Sequence, residues 1–184
     1  MTTTVGFDVY GTLIDTQGVI SELESLLGDK AFQFSQTWRE KQLEYSFRRG
    51  LMACYENFGV CTSQALDYSC RYYDVALSAE QKSGLLTRYS TLPVFADVVD
   101  TLTPLKSSGF RLYAFSNGSR SAVEQLLTNA GIREFFLGVV SCDDIQTFKP
   151  NPAVYAHFLQ QSNASQDSAW LISSNSFELS KTFS

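Results

Sequence analysis

One carboxylate near the amino terminus, Asp8, stands where a nucleophile could act. The apolar run at residues 5–9 is typical of a buried strand, and Gly11 beyond it permits a tight turn. A carboxylate at the carboxyl end of a parallel strand lies where open α/β sheets place their ligands. Asp8 could there attack carbon or phosphorus and form a covalent ester. These residues alone leave a second interpretation open, in which Asp8 only stabilises a turn.

Further polar residues follow later apolar runs in a similar way. They are Ser116, Asn117, Lys149, Ser173, Ser174 and Asn175. The carboxyl ends of parallel strands share one edge of a sheet, so we expect these residues to converge near Asp8. A lysine amine beside a carboxylate favours the ionised form of that carboxylate. Taken singly, a serine or asparagine after a strand is usually a turn residue.

Alternating strand and helix patterns must position these polar residues. Apolar runs predict strands at residues 5–9, 110–115, 136–141 and 169–172. Capping residues and apolar spacing predict helices at residues 97–106, 119–129 and 151–161. Pro104 is expected to kink the first of these helices or to end it early. The alternation predicts an α/β fold with a parallel sheet and right-handed crossovers.

The segment between residues 18 and 92 is helical in pattern throughout. Its predicted helices cover residues 19–27, 31–49, 62–74 and 78–91. Gly28 offers the first helix a stop, Thr62 with Ser63 is expected to cap the third, and Ser78 with Gln81 forms a capping-box pattern at the fourth. A mostly helical insertion is therefore expected directly after the first strand.

Composition is that of a folded, soluble protein. The chain has 184 residues, 44% hydrophobic and 18% charged, which suits one domain with an insertion. A net charge of −5 without a basic run argues against nucleic acid as a partner. Neither a signal peptide nor a membrane-spanning apolar stretch is visible, so we expect a cytoplasmic protein without a membrane partner. The four cysteines lack metal-type spacing and are expected to be reduced and mostly buried.

The segment FDVYGTLID at residues 7–15 resembles the opening motif of the haloacid dehalogenase superfamily. The resemblance implies that Asp8 is the nucleophile and that Thr12 orients it. Most phosphatases of this superfamily carry a second aspartate two positions after the nucleophile, where this chain has Tyr10. The chain is therefore similar to the hydrolytic (S)-2-haloacid dehalogenases, whose fold is a Rossmann-like parallel-sheet core with an inserted helical cap domain. The implied domains are a core at residues 1–15 and 93–184 and a cap at 16–92.

Three later segments resemble the remaining superfamily motifs in the right order. They are FSNG at 115–118, FKP at 148–150 and LISSNSF at 171–177. The resemblance implies that Ser116 and the backbone amides of Val9 and Tyr10 hold a substrate carboxylate. Lys149, Ser173 and Asn175 would orient Asp8 and balance its charge. The other implied site residues are Asn117, Tyr155 and Phe177, and for Tyr155 a core position remains an alternative.

The stretch WREKQLEY at residues 38–45 resembles a cap helix of the same dehalogenases. Arg39 and Leu43 are four residues apart and share one helix face. The resemblance implies that Arg39 meets the haloacid and the leaving halide, together with Asn117. Leu43 and Phe58 would line the pocket. Without the resemblance, Arg39 would be read as a surface charge.

The implied reaction converts (S)-2-haloalkanoic acids to (R)-2-hydroxy acids through an aspartyl ester on Asp8, without metal or cofactor. The expected partners are the small 2-haloacid and halide, and members of the family often form homodimers. Two alternatives stay open: a phosphatase of the same superfamily, and a protein that binds small acids without turnover. The second arises because Glu178 stands where the fourth motif normally has aspartate. The single histidine, His157, lies beside no obvious nucleophile and is expected to be structural or exposed.

Overall fold

The computed structural model of the protein describes residues 2–176 and contains a parallel sheet. Its four strands are β1 (Thr4–Asp8), β2 (Arg111–Ser116), β3 (Gly138–Ser141) and β4 (Ala169–Ile172), in the order β3-β2-β1-β4. All three strand pairs are parallel, which confirms the predicted α/β sheet. In the register, Asp8 lies beside Phe115 and Ser116 beside Ser141, so the strand ends share one edge.

Five α-helices lie between β1 and β2, and the first four of them lie between residues 20 and 88. Those four are α1 (Ile20–Leu27), α2 (Ala31–Leu51), α3 (Phe58–Tyr72) and α4 (Ala79–Arg88). Gly28 ends α1 with a positive φ of 57°, a conformation that glycine adopts without strain. The predicted capping box at α4 is confirmed, because Ser78 accepts from the amide of Gln81 and the Gln81 side chain accepts from the amide of Ser78.

The predicted start of α3 at Thr62 was wrong. The helix begins at Phe58, and its cap is Asn57, whose side chain accepts from the amide of Val60. Thr62 lies inside the helix, where its hydroxyl donates to the carbonyl of Phe58 at 2.8 Å. A threonine hydroxyl can bond either to a free amide at a helix start or to a carbonyl one turn back. The residue type alone did not distinguish these two positions.

Three more α-helices alternate with the later strands, one before each of β2, β3 and β4. They are α5 (Val98–Ser107), α6 (Arg120–Asn129) and α7 (Pro152–Ser162). Side-chain caps begin α6 and α7, with Ser119 accepting from Ala122 and Asn151 from Ala153. Pro104 lies inside α5 and does not end it early, contrary to that part of the prediction. Proline in the last turn removes only one intrahelical hydrogen bond, and the next amides still find partners, as Ser108 does at the carbonyl of Pro104.

Aromatic packing joins α2 and α3 to the residues at the carboxyl edge of the sheet. Trp38 of α2 is fully buried, and its indole NH donates to the carbonyl of Thr62 at 2.9 Å. The ring of Phe58 lies 5.7 Å from Tyr10 and 6.3 Å from Phe148. Tyr55 packs on Phe148 with a ring separation of 5.0 Å and donates a hydrogen bond to the carboxylate of Asp143. These contacts hold α2 and α3 over the carboxyl edge of the sheet.

The four cysteines agree with the prediction from sequence. Cys61, Cys70 and Cys142 are buried, Cys54 is exposed, and all four are free thiols, as expected. Among the helices of residues 2–176, none combines the length and the apolar character that a membrane span requires.

Candidate functional site

A buried ion pair lies at the centre of the carboxyl edge. The amine of Lys149 donates to Oδ1 of Asp8 at 2.5 Å, and the Lys149 side chain is only 1% exposed. Asp8 ends β1, and Lys149 lies in the loop between β3 and α7. The backbone amide of Lys149 donates to Oδ1 of Asn117 at 2.9 Å. Asn117, which follows β2, therefore helps to fix the loop that carries the lysine.

The second oxygen of Asp8 is held by Thr12. The Thr12 hydroxyl donates to Oδ2 of Asp8 at 3.1 Å and accepts from the amide of Ser174 at 2.9 Å. The Ser174 hydroxyl donates in turn to the carbonyl of Gly11 at 2.7 Å. Gly11 has a φ of 93°, which a side chain would strain. The loops after β1 and β4 are thus joined by hydrogen bonds that fix the carboxylate of Asp8.

Asp8 is one of the residues that line a pocket of about 330 Å³. Its polar wall comes from residues at strand ends: Asp8, Gly11, Ser116, Asn117, Ser174 and Asn175. Its other wall comes largely from the helices above the sheet and is mostly apolar: Tyr10, Leu43, Phe47 and Phe58, with Arg39 beside them. One carboxylate therefore faces a cavity with an apolar wall, a guanidinium and several hydrogen-bonding groups. Such a cavity suits a small organic anion.

Arg39 reaches the pocket from α2. Its Nη2 donates to the carbonyl of Tyr10 at 2.8 Å, and its Nη1 donates to Oε1 of Gln42 at 2.6 Å. Gln42 is fully buried and donates to the hydroxyl of Thr62 at 2.5 Å. This chain of hydrogen bonds fixes the guanidinium, and Leu43 lies one helical turn further along the same pocket wall. Arg39 is therefore not a surface charge, which was the alternative interpretation from its position on an amphipathic helix.

Tyr10 contributes a neutral phenol to the pocket. Burial, and to a lesser extent the neighbouring Tyr89, raise the pKa of Tyr10 to about 12, although the charge of Arg39 acts in the opposite direction. The phenol therefore keeps its proton at neutral pH. Its ring packs between Phe58 and Tyr89, at centroid distances of 5.7 and 6.3 Å.

Within residues 2–176, five predicted site residues are not among those that line the pocket, and one of them is Lys149, whose amine contacts Asp8. Val9 is fully buried, and its carbonyl accepts from the amides of Leu13 and Ile14. Ser173 accepts from the amide of Asn175 at 3.1 Å, which shapes the loop after β4. Tyr155 is buried on α7, with its ring 5.9 Å from Phe115, and Thr12 touches Asp8 as described above. Phe177 and Glu178 lie outside the described residues.

Two pocket residues were not identified from sequence. Phe47 lies four residues after Leu43 and eight after Arg39, so helical spacing would have placed it on the same face. Gly11 was read only as a turn residue. Gln42, which supports Arg39 from outside the pocket, gave no comparable signal, because its role depends on a contact with α3.

His157 lies in a different cluster. Its Nε2 is 3.3 Å from Oδ2 of Asp144, which also accepts from Nη2 of Arg120 at 2.6 Å. None of these residues lines the Asp8 pocket. Within residues 2–176, no three His, Cys, Asp or Glu side chains come together as a metal site would require.

The chain matches one protein-family model and is similar to a number of known proteins. Residues 2–176 match the model of the haloacid dehalogenase-like hydrolases. The chain is 34% identical to an (S)-2-haloacid dehalogenase of Pseudomonas sp. (strain YL) over 174 residues, which are 95% of this chain and 75% of the relative. It is 32% identical to haloacetate dehalogenase H-2 of Moraxella sp. (strain B), over 96% and 79% of the two chains.

A solved structure with a covalently bound small acid is also similar. It is the L-2-haloacid dehalogenase from Xanthobacter autotrophicus with chloropropionic acid covalently bound. The two structures superpose with a TM-score of 0.91 at 31% identity, over 97% of this chain and 72% of the other.

Proposed function

Because the chain belongs to the haloacid dehalogenase-like hydrolase family, we propose that it hydrolyses the carbon–halogen bond of small (S)-2-haloalkanoic acids. The products would be (R)-2-hydroxy acids and halide. The observation that carries the proposal is the carboxylate of Asp8, held by Lys149 and Thr12 at the base of a pocket that Arg39 also lines. The similarity to dehalogenases, one with covalently bound chloropropionic acid, supports the same reaction.

The first proposed step forms an ester. A carboxylate oxygen of Asp8 attacks C2 of the substrate from the side opposite the halogen, so the carbon–halogen bond breaks and the carbon inverts. The halide leaves towards Arg39 and Asn117, whose donors stabilise the developing charge. Ser116 and the amides of Val9 and Tyr10 hold the substrate carboxylate. No metal or cofactor enters this step.

The second proposed step returns the free enzyme. Water attacks the carbonyl carbon of the Asp8 ester, the bond to the former carboxylate oxygen breaks, and the 2-hydroxy acid leaves with that oxygen. Lys149, Ser173 and Asn175 orient the carboxyl group through the step, with Tyr155 as a further support. Residues 16–92 would act as a cap domain that keeps bulk water from the ester, over a core of residues 1–15 and 93–184.

The oxygen balance of these steps gives a direct test. In a single turnover with excess enzyme and 2-chloropropionate in heavy-oxygen water, the label is expected in the Asp8 peptide and not in the product hydroxyl. Mass spectrometry of the digested protein and of the product measures both. Label in the product alone would mean that water attacks the substrate directly. A thermal shift with the acid but no halide release would instead identify a protein that only binds.

Arg39→Gln is expected to lower kcat for halide release by about 10²–10³-fold, because it removes a positive charge from the path of the departing anion. The neutral amide also cannot replace both hydrogen bonds of the guanidinium, to Tyr10 and to Gln42. Initial rates of halide release over a range of 2-chloropropionate concentrations measure the effect.

A matched control exists on the same helix. Arg48 pairs with Glu44 at 2.5 Å, and its side chain is 68% exposed. Arg48→Gln removes the same charge away from the pocket and should leave kcat within about twofold, since exposed ion pairs contribute little. Equal losses in the two variants would remove Arg39 from the proposed mechanism.

A further inference from the structure

A second cavity, of about 430 Å³, adjoins the Asp8 pocket. The last turn of α2 forms one side, and the loop between β3 and α7 forms the other. Most of its lining is apolar and comes from Phe47, Gly50, Leu51, Phe148, Pro150 and Pro152. None of these residues except Phe47 also lines the pocket that contains Asp8.

The two spaces share part of their walls. Phe47 and Asn175 line both of them. Lys149 lines the second cavity and its amine contacts Asp8, so the second cavity lies beside the proposed nucleophile. The two cavities are therefore neighbours at Phe47 and Asn175.

The chemistry of the second cavity favours hydrocarbon. Lys149 is the one charged residue among its described lining residues, and that charge is paired with Asp8. The carboxamide oxygen of Asn151 accepts from the amide of Ala153 at the start of α7. An apolar surface of this kind binds methylene groups, each of which strengthens binding by about fourfold when fully buried.

We propose that this cavity takes the alkyl tail of longer 2-haloalkanoic acids, so that the protein accepts chains well beyond three carbons. The inference rests on the proposed function, because Asp8 and the residues around it must hold the carboxylate and C2. The tail then runs between Phe47 and Asn175 into the cavity. Phe47, Gly50 and Leu51 determine how long a tail can be.

Gly50 is the position at which the cavity can be closed by a substitution. A Cβ built there would lie 3.6 Å from Oγ1 of Thr147 and 3.8 Å from Cβ of Phe148, which are ordinary contacts. Alanine therefore fits, and its lack of further atoms leaves the cavity open. The three additional carbons of leucine would occupy space between α2 and the 148–152 loop. Gly50 lies within α2, so neither substitution strains the backbone.

The test compares (S)-2-chloropropionate with (S)-2-chlorooctanoate in the wild-type protein, Gly50→Ala and Gly50→Leu. We expect the wild type to have a kcat/KM for the long acid at least equal to that for the short one. Gly50→Leu should lower kcat/KM for the long acid at least tenfold and for the short acid less than twofold. Gly50→Ala should change neither by more than about twofold, which makes it the matched control.

A second variant and a binding measurement keep the outcomes distinct. Leu51 is 88% exposed, so the Leu51→Asp variant should fold. The new charge at the rim of the cavity should weaken binding of the long acid more than binding of the short acid. Calorimetry on Asp8→Asn, with and without Gly50→Leu, measures the affinity of each acid in the absence of turnover. If Gly50→Leu loses the preference for the long acid both in kcat/KM and in affinity, the result supports the cavity as the site of the alkyl tail. The tail site would be overturned if Gly50→Leu affected both acids equally or neither of them, or if the long acid did not bind. If halide release were absent but selective binding of the long acid remained, only the proposed function would be overturned.

Discussion

Asp8→Asn is expected to abolish halide release from 2-chloropropionate, with a loss of at least about 10⁴-fold in kcat. The carboxamide is nearly the same shape as the carboxylate, but its oxygen is a poor nucleophile and forms no stable ester. The amide oxygen can still accept a hydrogen bond from Lys149 or Thr12, so the substrate pocket should keep its shape. Halide release and equilibrium binding of the acid, measured on the same preparation, separate lost chemistry from lost binding.

A second aspartate in the same loop provides the control for that substitution. Asp15 caps the short 3-10 helix at Thr16–Val19, where its Oδ1 accepts from the amide of Gln17 at 2.8 Å. Asparagine retains that acceptor, so Asp15→Asn should keep kcat within about twofold. If Asp8→Asn retained even a tenth of the wild-type rate, Asp8 would not be the nucleophile.

Lys149→Met is expected to reduce both stability and activity. It removes the charge that pairs with Asp8 and leaves a buried carboxylate without that partner, which typically costs about 3–5 kcal/mol of unfolding free energy. Methionine fills a similar volume, so the loss comes mainly from electrostatics and hydrogen bonding. Halide release should fall by about 10²–10³-fold, because Lys149 orients Asp8 and stabilises charge during ester hydrolysis. Urea unfolding and initial rates measure the two effects.

The double variant Asp8→Asn with Lys149→Met identifies the source of the lost stability. Removing both charges eliminates the unpaired carboxylate, so the double variant should be more stable than Lys149→Met alone by at least about 1 kcal/mol. Lys82→Met is the surface control, because Lys82 pairs with Asp67 at 2.7 Å in a partly exposed position. That substitution should cost no more than about 1 kcal/mol. Additive losses from Asp8 and Lys149 would mean that the pair is not energetically coupled.

Local structure was predictable from sequence where the signal itself was local. Ser78, Ser119 and Asn151 cap helices within three residues of their own positions, so their types and spacing were sufficient. The start of α3 was not predictable from Thr62, because buried contacts on two sides determine which hydrogen bond its hydroxyl forms. Pro104 likewise lies in a helix that continues past it.

Apolar periodicity and turn chemistry are properties of neighbouring residues, so they were sufficient to predict the α/β order of elements and the polar residues at the strand ends. They also predicted that Lys149 would lie near Asp8, but the direct contact across 141 positions depends on strand order and register, which the folded structure fixes. The folded structure also turned Arg39 towards Tyr10 through Gln42 and placed Phe47 and Gly50 beside the same loop. These contacts arise from packing between α2, α3 and the sheet, which no spacing within one segment encodes.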